Sequence, residues 1–278
     1  MRSWRMEGMA LRPSGLLALG CAGVLLLLAL LGPSIAPYDP LATNVRQALE
    51  APSAAHWFGT DQLGRDIFSR VLVAARLDLA IAVSAVALSF VVGNTIGAAC
   101  GFVGGPLDQW VGRLVDVLMA FPLFIVAMAM AAVLGNGVAN IIYATALINL
   151  PFYIRFSRSE VAVRRNAGYV QAARLGGAGD LALLFGVLLP NILPALVVQM
   201  SLNLGWAILN TAGLSFIGVG VRPPAPEWGV LVSEGAQFII TGQWWVAACP
   251  GLALMFAVLA FNLSGDALRD LLDVRRAA

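Results

Sequence analysis

Long apolar runs separated by short polar breaks dominate the chain, and the runs exceed what a soluble core would need. The first extends from about Gly15 to Leu31, behind Arg2, Arg5 and Arg12. A second covers about Leu79 to Val103. From Val117 to Ile154 there is no charged residue; that stretch is too long for one crossing, and Gly135-Asn136-Gly137 divides it into two. Another run spans Leu181 to Val221, with Pro190 and Pro194 at its entry and glycines from Gly213 to Gly220 at its exit. The last covers about Trp244 to Leu263. A bilayer crossing takes roughly 20 apolar residues, so the pattern predicts an all-α integral membrane protein with six transmembrane helices. The first run also has the basic flank of a secretory signal. It is long for a signal, and Pro37 follows its one small-residue cleavage candidate, Ser34-Ile35-Ala36, so it is read as a retained helix.

Composition supports lipid as the solvent. Hydrophobic residues make up 60% of the 278 and charged residues 12%, against roughly 45–50% and about 25% in soluble domains. Every basic residue is arginine, which excludes a GxxxxGK[ST] phosphate loop in this chain. A single histidine, His56, makes a metal site of histidines improbable, and no metal ligand set is assigned. Cys21, Cys100 and Cys249 lie in apolar runs without paired spacing and read as buried hydrophobes. A net charge of +2 gives no reason to expect a nucleic-acid partner. The arginines are unevenly placed. With the N-terminus inside, the inner segments hold Arg2, Arg5, Arg12, Arg113, Arg155, Arg158, Arg164, Arg165, Arg174, Arg269, Arg275 and Arg276, while the outer ones hold Arg46, Arg65, Arg70, Arg76 and Arg222. This bias puts both termini in the cytoplasm.

The chain therefore divides into residues 1–31, a cytoplasmic N-terminus and first helix; 32–78, an extracytoplasmic loop; and 79–278, a five-helix core with an inner loop at about 155–186. In the outer loop Leu63, Ile67, Val71 and Ala74 share one helical face, away from Arg65, Asp66 and Ser69. That pattern over Trp57 to Arg76 predicts an amphipathic helix at the outer membrane surface. In the penultimate run Gln199, Asn203, Trp206 and Asn210 fall within about 60° of one another at 100° per residue, with Leu202 and Leu209 outside the stripe. Two readings fit this stripe: hydrogen bonding between helices, or the lining of a hydrated path. Asp78, Asp108, Asp116 and Asp266 are read as lying near span ends.

The inner loop reads Tyr169-Val-Gln-Ala-Ala-Arg-Leu-Gly-Gly-Ala-Gly-Asp-Leu-Ala-Leu-Leu-Phe-Gly-Val-Leu-Leu-Pro190. It resembles the EAA loop of ABC-importer permeases, with Ala172, Ala173, Gly177, Leu189 and Pro190 in register, Gln171 in place of the glutamate and Val187 in place of the isoleucine. His56-Trp-Phe-Gly-Thr-Asp-Gln-Leu-Gly-Arg-Asp66, Gly213-Leu-Ser-Phe-Ile-Gly-Val-Gly220, Pro223-Pro-Ala-Pro-Glu-Trp-Gly229 and Phe261-Asn-Leu-Ser-Gly-Asp-Ala-Leu-Arg269 resemble the dipeptide/oligopeptide/nickel subfamily, and its second permease subunit type.

The resemblance implies a type I ABC-importer permease fold and a bacterial inner-membrane, multi-pass subunit moving di- or oligopeptides. A nickel chelate or glutathione is the alternative cargo, and a self-contained secondary transporter the alternative class. It implies as partners a second related permease, two ATPase subunits that bind the ATP and Mg, and an extracytoplasmic substrate-binding protein. This chain would have no cofactor and no ATPase site of its own. Tyr169, Gln171, Ala172, Ala173, Arg174 and Gly177 are the expected ATPase-coupling residues: Ala172, Ala173 and Gly177 form the docking face, and Arg174 makes a polar contact. Asp180 would cap the following helix. Gln199, Asn203, Trp206 and Asn210 are assigned to the translocation path, and Arg65 and Asp66 to docking of the binding protein.

Overall fold

The computed structural model describes residues 13–272, which form helices and short connections with no strand among them. Helix α1, Pro13–Ile35, is followed by an irregular segment to Asp66, and then by α2, Ile67–Val103. The Asp66 carboxylate accepts from the Ser69 N–H and caps α2. Thirty-seven residues make α2 about 55 Å long, well beyond a hydrocarbon core of roughly 30 Å. The helix starts twelve residues before the Leu79 expected from hydropathy. The amphipathic helix expected over residues 57–76 is accordingly corrected: residues 57–66 form turns, and the remainder is the first part of α2.

Helices α3, Gly105–Ala120, and α4, Leu123–Leu134, meet at 94° around Phe121-Pro122. Pro122 lacks an N–H and pushes Phe121 into an extended conformation (φ −85°, ψ 135°), which ends α3. Twelve residues of α4 rise only about 18 Å, so the third span is a broken one. Five other helices are long and apolar enough to cross a membrane, and the bent pair makes the sixth. Helix α5 is Val138–Arg164, and α6 is the short Gly168–Leu175. A π-helical stretch, Ala182–Leu188, runs into α7, Leu189–Phe216. Helices α8, Trp228–Ala236, and α9, Trp245–Leu272, complete the fold.

Small residues set the closest approaches. Gly93, Gly97 and Gly101 of α2 face α5; a Cβ on Gly97 would lie 2.3 Å from the Ile154 carbonyl oxygen, and one on Gly101 2.4 Å from that of Arg158. These two helices run parallel and in near backbone contact, the packing that glycines four apart permit in membranes. Helix α1 buries Ala18, Ala22, Leu25 and Ala29, and the Ser264 hydroxyl of α9 donates to the Ala18 carbonyl at 3.0 Å. The basic residues expected at the inner termini, Arg2, Arg5, Arg12, Arg275 and Arg276, lie outside the described residues.

Candidate transport groove and coupling loop

A groove of about 480 Å³ lies between α5, α7 and α9. Gln199, Asn203, Trp206 and Asn210 all line it, so the helical stripe seen in the sequence faces one space. Asn149 from α5 and Asn262 from α9 join them, and neither was singled out beforehand. Leu202 lines it as well, contrary to the sequence reading. The walls are apolar apart from five side-chain amides and the Trp206 indole, and no charged side chain is among them. Gln199 Nε2 donates to Asn203 Oδ1 at 3.3 Å. The Asn149 Nδ2 is buried with no hydrogen-bond partner, and the Asn203 Nδ2 is buried beside the Tyr153 hydroxyl. Leu123 and Phe152 bound the groove and also line a second hollow at the α3–α4 bend.

At one end of the bundle α6 carries the loop expected to couple to the ATPases. The helix closes with a Schellman cap: the Ala178 N–H donates to Ala173 O (3.1 Å) and the Gly177 N–H to Arg174 O (3.0 Å). That cap puts Gly177 at φ +89°, so the glycine is favoured by backbone conformation, while the space around it is open. Ala173 is partly buried and packs on this chain's own core, which corrects its assignment to the docking face. Tyr169, Gln171, Ala172 and Leu175 are exposed, and Leu175 is 90% bare. The Gln171 amide donates to Asn166 O at 3.0 Å. Asp180 opens the next helical stretch, but its carboxylate pairs with Arg174 at 3.7 Å, where a cap had been expected.

The segment before α2 has the opposite character. Arg65 and Asp66 are 2% and 3% exposed. The Asp61 carboxylate accepts from Arg65 Nε (2.6 Å) and Arg70 Nη1 (2.5 Å), and Glu234 of α8 accepts from Arg65 Nη2 (3.2 Å) and Arg70 Nη1 (3.0 Å). His56 Nδ1 lies 2.8 Å from the Asp66 carboxylate. Neither Arg65 nor Asp66 reaches the surface, so their assignment to binding-protein docking is corrected: they hold the segment to α2 and α8.

Asp78 is likewise not at a helix end but inside α2, 1% exposed. It accepts from the Trp228 N–H at 3.1 Å and shares a hydrogen bond with Glu227. Burial pushes the Glu227 carboxyl above the usual carboxylate range, against the hydrogen bonds from the Val230 and Gly229 N–H groups that favour its charged form.

Membrane-length helices, an amide-lined groove and a capped polar helix at one end define a polytopic transport subunit. The family profile described as the inner membrane component of binding-protein-dependent transport systems matches residues 93–277, and the N-terminal TM domain of oligopeptide transport permease C matches residues 12–52. The chain belongs to this family, the inner-membrane permease subunits of binding-protein-dependent ABC importers, in which separate subunits carry the ATPase activity. Its relatives include a probable D,D-dipeptide transport system permease protein of Escherichia coli (strain K12), 42% identical over 250 residues covering 90% of this chain and 84% of that protein. The nickel transport system permease protein of the same strain is 42% identical over 260 residues, 92% of each chain. A chain of the inward-facing MetNI methionine ABC transporter matches with TM-score 0.60 at 22% identity, over 73% of this chain and 96% of that one, and shows the shared fold.

Proposed function

We propose that this permease moves di- or oligopeptides inward as one of two related membrane subunits, with both termini and α6 on the cytoplasmic side. Two ATPase subunits bind the ATP and Mg and act on the exposed side of α6; an extracytoplasmic binding protein delivers the peptide. This chain has no cofactor and no reaction of its own. Its domains are read as the first helix at 1–31, the outer loop at 32–78 and the permease core at 79–278. The groove carries the reading. Its lining of amides offers donors and acceptors without charge. It contains no histidine, cysteine or carboxylate, which suits a peptide better than a nickel chelate.

The test is cysteine accessibility in the assembled transporter, after Cys21, Cys100 and Cys249 have been replaced by serine. Cysteines at Asn203 and Asn210 should react with a small polar thiol reagent, while one at Ile208, which is buried on another face of α7, should not. Equal protection at all three positions removes the path assignment.

A further inference from the structure

The groove has a specific imbalance in its hydrogen-bonding groups. Asn149 and Asn203 are more than nine-tenths buried; the Asn149 Nδ2 donor has no partner, and that of Asn203 has only the buried Tyr153 hydroxyl beside it. The Asn203 oxygen is already engaged by Gln199, so its remaining group is a donor and not an acceptor. A donor left unpartnered at membrane depth costs several kcal/mol. Whatever fills the groove therefore brings acceptors.

We infer that the groove reads the peptide backbone: Asn149 and Asn203 donate to carbonyl oxygens of a short extended peptide, whatever its side chains. This rests on the peptide-path reading above. Gly205 of α7 makes room for an amide from the facing helix α9. A Cβ there would lie 3.1 Å from Asn262 Oδ1, so the missing side chain leaves the Asn262 amide room to lie against α7 and line the groove. Trp206, 60% exposed, adds a flat surface that discriminates weakly among side chains. No charged residue is present to hold the peptide's terminal ammonium or carboxylate, so binding stays weak enough for passage.

The experiment changes one atom of the cargo. The full transporter in proteoliposomes, with its binding protein preloaded to equal occupancy, is given a peptide or its thioamide analogue, in which C=S replaces C=O and accepts hydrogen bonds poorly. Wild-type uptake of the thioamide should be slower by about tenfold, the effect of one hydrogen bond of roughly 1.4 kcal/mol. In Asn203→Leu and Asn149→Leu the ordinary peptide should slow towards the thioamide rate, so that the ratio falls towards one. Equal uptake of the two cargoes by the wild type overturns the inference, with no variant required. An unchanged tenfold ratio in both variants also overturns it, since the discrimination then lies elsewhere. If cysteine labelling succeeds while either result is found, the path stands and only backbone reading falls. If the labelling fails, the path reading falls with it.

Discussion

The two polar segments of this permease use their charges in opposite ways. In the outer segment Asp61, Arg65, Asp66 and Arg70 are each at most 3% exposed, and their charges are met by one another and by Glu234 and His56. In the inner loop Arg174 and Asp180 stand at 3.7 Å with more than half of each side chain exposed, beside the bare Leu175 and Leu181. The first arrangement is closed and stabilises the fold. The second leaves its leucines bare and its ion pair in solvent, the condition of a surface awaiting a partner. Charge density alone does not separate the two cases; the location of the opposite charge does.

The sharpest way to break this contrast is to open the outer network. Asp61→Ala leaves Arg65 and Arg70 buried with only the partly exposed Glu234 as counter-charge. Removing one partner of a buried ion pair costs about 3–5 kcal/mol. The variant should accumulate poorly in the membrane and melt at a much lower temperature in detergent. Normal accumulation and melting would show that the network contributes little and that the outer charges resemble the inner ones after all.

The inner loop should respond in the reverse manner. Leu175→Asp alters a side chain that touches almost nothing in this chain, so stability should stay within about 0.5 kcal/mol of wild type. Copurification of the ATPase subunits and ATP-driven uptake should be lost. Ala172→Trp, on the exposed side of α6, should act alike. These positions test docking more cleanly than Gly177, where any side chain also strains the φ of +89°. A Leu175→Asp transporter that keeps its ATPases removes the α6 assignment.

Much of this was legible in the sequence because a bilayer imposes a length and a polarity on whatever crosses it. The apolar runs, the Gly135-Asn136-Gly137 break and the stripe from Gln199 to Asn210 all follow from one helical period in one solvent. The continuity of α2 did not, since Arg70, Arg76 and Asp78 interrupt the apolar run and make its first turns read as a separate surface helix. Pro122 stood in plain view, but a charge-free run conceals a bend of 94°. Asn149 and Asn262 are single amides in apolar helices, and only the Gly205 notch and the packing of three helices bring them to the groove. The glycines at 93, 97 and 101 were a readable signal, spaced four apart like other small-residue helix contacts. Arg65 and Asp66 were misread because polarity was equated with exposure; Glu234 lies 169 positions from Arg65, beyond any local pattern.

The smallest predicted effect concerns the acids that close the outer end. Glu227 caps α8 by accepting from the Val230 N–H at 2.8 Å, and its burial raises its pKa. Above the ordinary carboxylate pKa of about 4.3, the folded protein therefore retains a proton that the unfolded chain releases. The stability this contributes is fully present below that pH and is lost as pH rises through the raised folded value. Melting in detergent should accordingly fall between mildly acidic and neutral pH. Glu227→Gln keeps an oxygen to accept from Val230, and it does not titrate. Its melting temperature should vary less with pH over the same interval, with uptake near wild type at acidic pH. If variant and wild type show the same pH slope, the proton that the folded protein retains is not held by Glu227.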